Sequence, residues 1–264
     1  MKKILILLLF FISNSVLAVE LQGKFIQGHF IIGKAKPDTK VLIDKIQVRV
    51  TEDGYFVFGI GRDRKYDVVI TLNKDGNKQK IVKKVLKRKY NIQRIDGLPE
   101  EQVTPPEEVY VRIKKENKLI GDAKAIDSNL TYFKNKFIVP IENTIISGVY
   151  GSQRILNGEP KWPHYGLDFA ADEGTKIKAM LDGTVTLAEP DLYYTGGTLM
   201  FDHGHGISTI YLHMQKLLVK KGQKIKQGDV IGTVGSTGRA TGPHLDIRLN
   251  WFQTRLDPKT VLSN

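Results

Sequence analysis

Apolar residues in the first part of the chain fall into short runs that are separated by turn-forming residues. The runs are rich in β-branched and aromatic side chains, and polar turns stand between them, as in Glu52-Asp53-Gly54 and Lys74-Asp75-Gly76-Asn77. Turn signals about every ten residues are typical of an antiparallel sandwich or barrel. We therefore predict a small β module over residues 19–98. The predicted strand segments are Phe25-Ile26, Phe30-Ile31-Ile32, Val41-Leu42-Ile43, Val48-Arg49-Val50, Tyr55-Phe56-Val57-Phe58 and Val68-Val69-Ile70.

A linker and one helix are predicted over residues 99–133. The segment from Thr104 to Glu108 offers a hydroxyl to cap a helix, prolines for the first turn and acids at the positive end of the dipole. Ile113 and Ile120 then keep roughly helical spacing amid many charged residues. We expect this helix to bury one narrow stripe and to end at residues 127–129.

Residues 134–264 return to a β pattern that is dense in glycine. Short apolar segments alternate with tight glycine turns, for example between Gly174 and Val185 and between Gly222 and Gly232. No helix of ordinary length fits this pattern. The sequence thus predicts a mainly β protein, in which a compact all-β C-terminal domain follows a small N-terminal β-sandwich-like module and a linker helix.

The first 18 residues have the features of a secretory signal peptide. Lys2 and Lys3 give a positive start, an apolar stretch runs from Ile4 to Ile12, and small or apolar residues end at Ala18. A membrane anchor is the alternative, but this stretch is shorter than the ~20 residues that a spanning helix needs. The signal-peptide features therefore predict export, with the periplasm as destination. Since no second apolar run reaches that length, we also predict no transmembrane segment in the mature chain.

Composition adds a positive charge and a lack of cysteine. The chain has 40 Lys and Arg against 28 Asp and Glu, which gives a formal net charge of +12 at pH 7. A basic exported protein meets polyanions such as peptidoglycan carboxylates, other wall polymers and anionic lipids, whereas nucleic acid is not an expected partner there. The alternative cause of the charge is a composition rich in Lys, Ile and Asn that is inherited from an AT-rich genome. Without cysteine, stability cannot come from disulfides, and a metal site must use His, Asp or Glu.

Histidine and aspartate concentrate in three short motifs of the C-terminal region. They run from His164 to Asp168, from Tyr211 to His213 and from Gly242 to Asp246. Pro163 and Gly166 argue against a helix at the first motif, and alternate side chains of a strand share a face. The His and Asp residues within a motif should therefore lie on one face, as should Tyr211 and His213. Such a group indicates a hydrolytic zinc site, because structural zinc sites usually contain thiolates.

The surroundings of these motifs extend the pattern over about half of the mature chain, from Ile138 to its end. The chain here resembles the LytM/lysostaphin-type zinc metallopeptidases, which cut peptidoglycan cross-links. Periplasmic members of that family are also similar in having a signal peptide, a small β module and a helix before the domain. The matching stretches are Gly148-Val149-Tyr150-Gly151-Ser152-Gln153-Arg154, Asn157-Gly158, His164-Tyr165-Gly166-Leu167-Asp168-Phe169-Ala170, Gly197, Asp202-His203-Gly204, Tyr211-Leu212-His213, Gly235-Ser236-Thr237-Gly238 and Thr241-Gly242-Pro243-His244-Leu245.

The resemblance implies a role for each histidine and aspartate of the motifs. His164 and Asp168 match the first two zinc ligands of the family, and His213 matches the catalytic histidine of its Tyr-x-His motif. His244 matches the first histidine of the His-x-His motif, which is catalytic. The second histidine of that motif, the third zinc ligand, is replaced by Asp246. One catalytic histidine would be the general base for the metal-activated water, and the other would stabilise the oxyanion or protonate the leaving amine.

Asp246 in place of histidine changes the expected metal chemistry. Zinc accepts carboxylate oxygen at about the distance at which it accepts imidazole nitrogen, so three ligands of this kind are feasible. Aspartate is shorter than histidine, so the strand must approach more closely or the ion must shift. Two carboxylates also neutralise the zinc charge, so a bound water would be less acidified and another divalent metal such as manganese would compete better. The alternative is a weakened or lost site.

Three further residues, Arg154, His203 and Tyr211, are candidate substrate contacts. Arg154 could meet a substrate carboxylate, with a surface charge as the alternative. His203 belongs to the cluster Asp202–Gly206, which we expect to be a strand end and a turn beside the groove, with His205 exposed. Tyr211 could hydrogen-bond near the site or simply pack.

The function that the resemblance implies is that of a secreted zinc metalloendopeptidase. Its substrates would be peptidoglycan stem peptides, and in a periplasm the bond would join D-alanine to the side chain of a diamino acid. The alternative is a catalytically weak or inactive regulator that activates a cell-wall amidase, although both catalytic histidines are retained. A biotinyl- or lipoyl-type carrier, which the glycine turns also resemble, would leave the histidines unexplained.

Overall fold

The computed structural model describes residues 17–97 and 104–262, and within them the protein is mainly β, as the sequence predicts. Nearly all of the predicted signal peptide, residues 1–16, lies outside the described residues, as do residue 98 of the predicted β module and residues 99–103 of the predicted linker. Among the helices of the described ranges, none is long and apolar enough to span a membrane.

The N-terminal region contains two antiparallel sheets. Its strands are β1 (Val19–Gln22), β2 (Phe30–Ala35), β3 (Lys40–Ile43), β4 (Ile46–Val48), β5 (Tyr55–Gly59), β6 (Val68–Lys74), β7 (Asn77–Lys83) and β8 (Ile92–Ile95). One sheet has the order β1-β2-β5 and the other the order β4-β3-β6-β7. Along β6, Val68, Ile70 and Leu72 are buried while their neighbours are partly exposed, as the alternation of a strand requires.

Two predicted strand segments differ from the structure. Phe25-Ile26 is not a strand, and Ile26 forms only an isolated bridge with Leu86. Gly23 and Gly28 on either side have φ of 111° and 87°, so the chain turns before a ladder can extend. The segment predicted around Val50 is displaced, because β4 ends at Val48.

The helix begins later and ends earlier than the sequence predicts. A 3₁₀ turn over Glu107–Val109 leads into α1 (Tyr110–Lys124), and no side chain caps the start of either. Pro106, with φ −57° and ψ 147°, is the extended residue before the turn. Because a residue before proline disfavours the α conformation, the Pro-Pro pair delays the start and Thr104 does not cap the helix.

A ten-stranded antiparallel sheet forms the C-terminal region. Its main path is β17-β14-β15-β16-β19-β12-β9, and β13, β18 and β20 attach to it. The central strands β15 and β16 are almost entirely buried. The strands of this region are β9 (Ile145–Gly148), β10 (Gln153–Leu156), β11 (Glu159–Pro160), β12 (Leu167–Ala170), β13 (Lys176–Lys178), β14 (Gly183–Leu192), β15 (Gly196–Gly204), β16 (Ile207–Leu217), β17 (Lys224–Ile225), β18 (Val230–Val234), β19 (His244–Trp251) and β20 (Thr254–Leu256).

The N-terminal and C-terminal regions share both a sheet and a core. Strand β8 pairs in parallel with β10, which pairs in turn with β11. Gly59 of β5 lies against Leu256, and a side chain at that glycine would overlap it. Arg88 and Asp257 form an ion pair at 2.5 Å. The predicted boundaries at residues 98 and 134 thus lie between packed segments, and the division into domains stays a prediction.

Candidate metal centre

Strand pairing brings two aspartates of distant motifs together. Strand β12 is antiparallel to β19, and Asp168 lies directly opposite Asp246. A side chain at Gly148 would overlap the carboxylate of Asp168, and one at Gly166 would overlap that of Asp246. Each glycine therefore leaves the space that a carboxylate occupies.

His164 reaches the same place from the irregular segment before β12, not from a strand as the sequence predicted. The N–H of Gly151 donates to its carbonyl at 2.7 Å, and its own N–H donates to the carbonyl of Ser152 at 2.8 Å. The imidazole Nε2 lies 3.0 Å from Asp168 Oδ1 and 3.6 Å from Asp246 Oδ2. The segment needs no strand geometry, because these backbone bonds fix where the ring points.

The three side chains fit a divalent metal ion. One ligand atom from each of His164, Asp168 and Asp246 lies within 4.8 Å of the other two. Nδ1 of His164 is 3.3 Å from the carbonyl of Val149, which can only accept, so the neutral ring that binds a metal has its lone pair on Nε2. Within the described ranges, this Nε2 and Oδ1 of Asp168 are buried and have no polar partner that forms a regular hydrogen bond, apart from their mutual approach to 3.0 Å. Converging lone pairs of this kind suit zinc, which takes three N or O ligands at sites with an open position.

The electrostatic surroundings of these groups favour positive charge at the site. Burial alone would lower the pKa of His164, but the neighbouring carboxylates of Asp168 and Asp246 outweigh it and raise the pKa to about 9. Burial would raise the pKa of Asp246, yet the guanidinium of Arg248 and the imidazole of His164 hold it well below its ordinary value. Asp246 is thus a carboxylate at neutral pH, as a metal ligand must be.

Arg248 is a site residue that the sequence analysis missed. Its Nη2 lies 2.8 Å and its Nε 3.2 Å from Asp246 Oδ2. The side chain of Arg248 is 25% exposed and that of Asp246 is 3% exposed. Because alternate residues of β19 share a face, His244, Asp246 and Arg248 all line one cavity. The same alternation rule, carried two residues further, would have found Arg248.

Two further histidines face the three candidate ligands. The rings of His213 and His244 are 4.8 Å apart between centroids. Nδ1 of His213 lies 2.8 Å from the carbonyl of Thr237, and Nδ1 of His244 lies 2.8 Å from that of Gly242. Each Nδ1 therefore carries the hydrogen, and each Nε2 keeps its lone pair. Burial lowers the pKa of His213, which favours its neutral form.

The expectation that Tyr211 and His213 share a face is wrong. Ile210 and Leu212 line the cavity, and Tyr211 points the other way, as alternation requires. His213 has φ of 63°, in the left-handed region, and its N–H donates to the carbonyl of Thr195 at 2.9 Å. This backbone conformation interrupts the alternation, so His213 lines the cavity directly after Leu212.

A cavity of about 1050 Å³ is lined by the three candidate ligands and by both histidines, His213 and His244. Arg154 lines it from β10, and its Nε is buried without a hydrogen-bond partner in the described ranges. Burial lowers the pKa of Arg154, while Asp168 and Asp246 oppose that effect. Helix α1 forms another part of the wall with Ile113, Glu116 and Lys124 among its contributions. No sequence signal places a helix there, because the position depends on tertiary packing.

The structure does not place His203 or Tyr211 where a substrate could touch them. His203 is fully buried, with Nδ1 2.7 Å from the carbonyl of Asp182 and Nε2 2.8 Å from Thr209 Oγ1. Tyr211 is 1% exposed, and its hydroxyl accepts a hydrogen bond from the N–H of Met180 at 2.9 Å. Neither lines the cavity.

The Asp202–Gly206 cluster is a strand end and a turn, but His205 is not exposed as predicted. It is 5% exposed and packs against Phe133, with 4.7 Å between ring centroids. Its φ of 52° turns the chain between β15 and β16 and carries the ring inward.

Comparison with known proteins agrees with this geometry. Residues 162–258, which include the three candidate ligands and both cavity histidines, match the profile of peptidase family M23. Peptidoglycan DD-endopeptidase ShyA of Vibrio cholerae is 46% identical over 87 residues, 33% of this chain and 20% of ShyA. Peptidoglycan DD-endopeptidase ShyC of the same organism is 36% identical over 138 residues, 51% of this chain and 31% of ShyC. The chain thus spans less than a third of the length of these curated relatives.

A solved structure extends the likeness to the N-terminal region. A crystal structure described as an M23 peptidase from Pseudomonas aeruginosa superposes with a TM-score of 0.69 and 27% identity, covering 90% of this chain and 95% of the other. The mainly β fold and the convergence of the three candidate ligands agree with this likeness. The chain contains a domain of peptidase family M23.

Proposed function

We propose that this protein is an exported, metal-dependent endopeptidase that hydrolyses peptide cross-links of bacterial peptidoglycan. The observation that carries the proposal is the convergence of His164 Nε2, Asp168 and Asp246 within 4.8 Å of one another, beside two histidines whose Nε2 atoms bear lone pairs. The relatives named above act on peptidoglycan, which supports this substrate and action outside the cytoplasm.

The metal ligands would be His164, Asp168 and Asp246, with zinc as the ion that their donor set suits. A zinc ion held there supplies a Lewis acid that polarises the scissile carbonyl and lowers the pKa of a water. The positive charge of Arg248 offsets that of the second carboxylate, so we expect zinc chemistry to be less impaired by Asp246 than two carboxylates alone would imply.

His213 and His244 would move protons in this mechanism. The carbonyls of Thr237 and Gly242 hold each Nδ1–H, so each Nε2 is presented to the cavity. A neutral imidazole accepts a proton from the attacking water, and the second ring delivers one to the leaving amine or stabilises the developing oxyanion. A positioned acid or base of this kind contributes typically ~10²–10⁴-fold in rate.

The test is the release of new amino groups from purified peptidoglycan by the full chain, with and without a chelator. We expect chelator-sensitive release that added zinc restores and that His164→Ala and His244→Ala abolish. His29→Gln is the matched control, because His29 is half-buried in the N-terminal region and does not line the cavity. No release with added zinc or manganese would overturn the proposal and favour the amidase-activating regulator.

A further inference from the structure

One side of the cavity carries an excess of positive charge. Lys124 of α1, Arg248 of β19 and Arg255 of β20 line it, and we call these three residues the cationic wall. Gln253, in the turn between β19 and β20, donates to the carbonyl of Gly121 at 2.9 Å. This bond ties the hairpin to the last turn of the helix, so the three cations are held by neighbouring elements.

Two members of the cationic wall have no anionic partner. Arg248 pairs with Asp246, but neither Lys124 nor Arg255 has a carboxylate at ion-pair distance within residues 17–97 and 104–262. Lys124 is only 7% exposed, and its ammonium makes no hydrogen bond to the described residues. A buried charge without a partner is unfavourable. The folded protein therefore maintains a position that an anion entering the cavity would stabilise.

The remaining acid on this side of the cavity is already engaged. Glu116 pairs with Arg112 at 2.6 Å, and it accepts a hydrogen bond from the N–H of Tyr193 at 2.8 Å. Burial and then the charges of Arg255 and Arg248 lower the pKa of Lys124 to about 7. The end of a helix favours a cation such as Lys124 but does not explain its burial beside two arginines.

We propose that the cationic wall binds a free carboxylate of the peptide substrate. This inference rests on the proposed function for its substrate class. Arg248 touches Asp246 at 2.8 Å, so the wall begins one side chain away from the candidate metal centre. The carboxylate therefore belongs to a residue close to the scissile bond. Lys124 supplies a point charge, and Arg255, whose guanidinium lies 4.2 Å from the centroid of the Tyr165 ring, supplies a planar donor.

Synthetic cross-linked muropeptides test this subsite with the metal-loaded full chain. Two carboxylates can lie near the bond, namely the C-terminal carboxylate and that of the diamino acid, and each is replaced by an amide in a separate substrate. We expect amidation of one of them to lower kcat/KM by about tenfold to a hundredfold, the range of a hydrogen bond to a charged group. The sensitive position identifies which carboxylate is bound.

Lys124→Met should erase that discrimination, so that kcat/KM on the acid no longer exceeds kcat/KM on the amide. Lys118→Met is the matched control, because Lys118 lies on the same helix, is 75% exposed and pairs with Asp122. Arg255→Gln is the second variant and should weaken the same preference. Equal rates on the acid and on both amides, or full discrimination by Lys124→Met, would overturn the proposal.

Binding measured without catalysis separates this inference from the proposed function. Calorimetry with metal-free protein and the same muropeptides should give tighter binding of the acid, and Lys124→Met should lose this difference. If binding discriminates between the acid and the amide but the wild type does not cleave, the subsite stands and the hydrolytic function fails. If the wild type cleaves but neither rate nor binding discriminates, the hydrolytic function stands and the subsite is refuted.

Discussion

The carboxylate of Asp246 and the guanidinium of Arg248 form an ion pair on one face of β19, with 2.8 Å between Oδ2 and Nη2. The aspartate therefore brings its own counter-charge to the site. An aspartate with its arginine is neutral as a pair, like the imidazole that the family resemblance places at this position. With this pair, the candidate metal centre has the same net charge as a site made of one carboxylate and two histidines.

This pair should be energetically coupled. Asp246→Asn and Arg248→Gln should each lower the free energy of unfolding, and the double variant should lose less than the sum, with a coupling of about 1–3 kcal/mol. Removing one partner leaves the other charge largely buried, whereas removing both does not. Urea denaturation of the wild type, the two single variants and the double variant measures this coupling energy. The exposed Lys118 and Asp122 pair is the control and should give less than about 0.5 kcal/mol. Additive losses at Asp246 and Arg248 would contradict the prediction.

Gly166→Ala should abolish metal binding while the protein still folds. A methyl group at Gly166 would overlap the carboxylate of Asp246 and displace it from the other two candidate ligands. Bound zinc per chain, measured after dialysis, should fall from about one to near zero, because zinc binds only when its ligand atoms converge at the right distances. Gly121→Ala is the control, because nothing lies within 4 Å of the added methyl group. It should retain zinc and gain about 0.5–1 kcal/mol of helix stability.

Two substitutions at His213 distinguish the effect of its backbone conformation on stability from the effect of its imidazole on activity. Asparagine tolerates positive φ, whereas a β-branched residue does not. With φ of 63°, His213→Asn should keep the stability of the wild type, and His213→Val should lose about 1–3 kcal/mol. Both should lose peptidoglycan cleavage, since neither side chain can exchange a proton as imidazole does. Thermal denaturation and the amino-group assay measure the two effects, and a stable, active His213→Val would contradict both.

Lys124 should make stability depend on pH. Its pKa is about 7 in the folded protein and 10.5 in the unfolded chain, so between these values the unfolded chain binds the additional proton. Stability then rises with pH across that window, and the destabilisation is fully present below it. Metal-free Lys124→Met should be more stable than the wild type at about pH 6, on the order of a few kcal/mol, and the gap should close towards about pH 10.

Urea midpoints of the two metal-free proteins over that pH range check this expectation. Lys118→Met should follow the wild type at every pH, since Lys118 is exposed and paired. A gap between Lys124→Met and the wild type that stays constant with pH would show that the ammonium is not destabilised by burial.

The sequence was informative wherever local pattern decides the structure. Alternation along a strand placed His244 and Asp246 on one face, and both line the cavity. It failed at His213, because a left-handed residue inside a strand has no signature when the residue is histidine. The local pattern also does not indicate that Lys124 lines the cavity, because the position of a helix over a cavity depends on packing between distant segments. Arg248 was accessible to the same alternation rule but was not recognised.

The parallel pairing of β8 with β10 has a consequence for how this protein could evolve or be cut. Strand β10 carries Arg154 and leads towards the segment of His164, and β8 supplies hydrogen-bond partners along its side. Loss of the N-terminal region would bare the edge of β10 and leave its N–H and C=O groups open to other strands. The N-terminal region therefore contributes to the sheet around β10, and any segment that replaced it would have to supply a strand that pairs with β10.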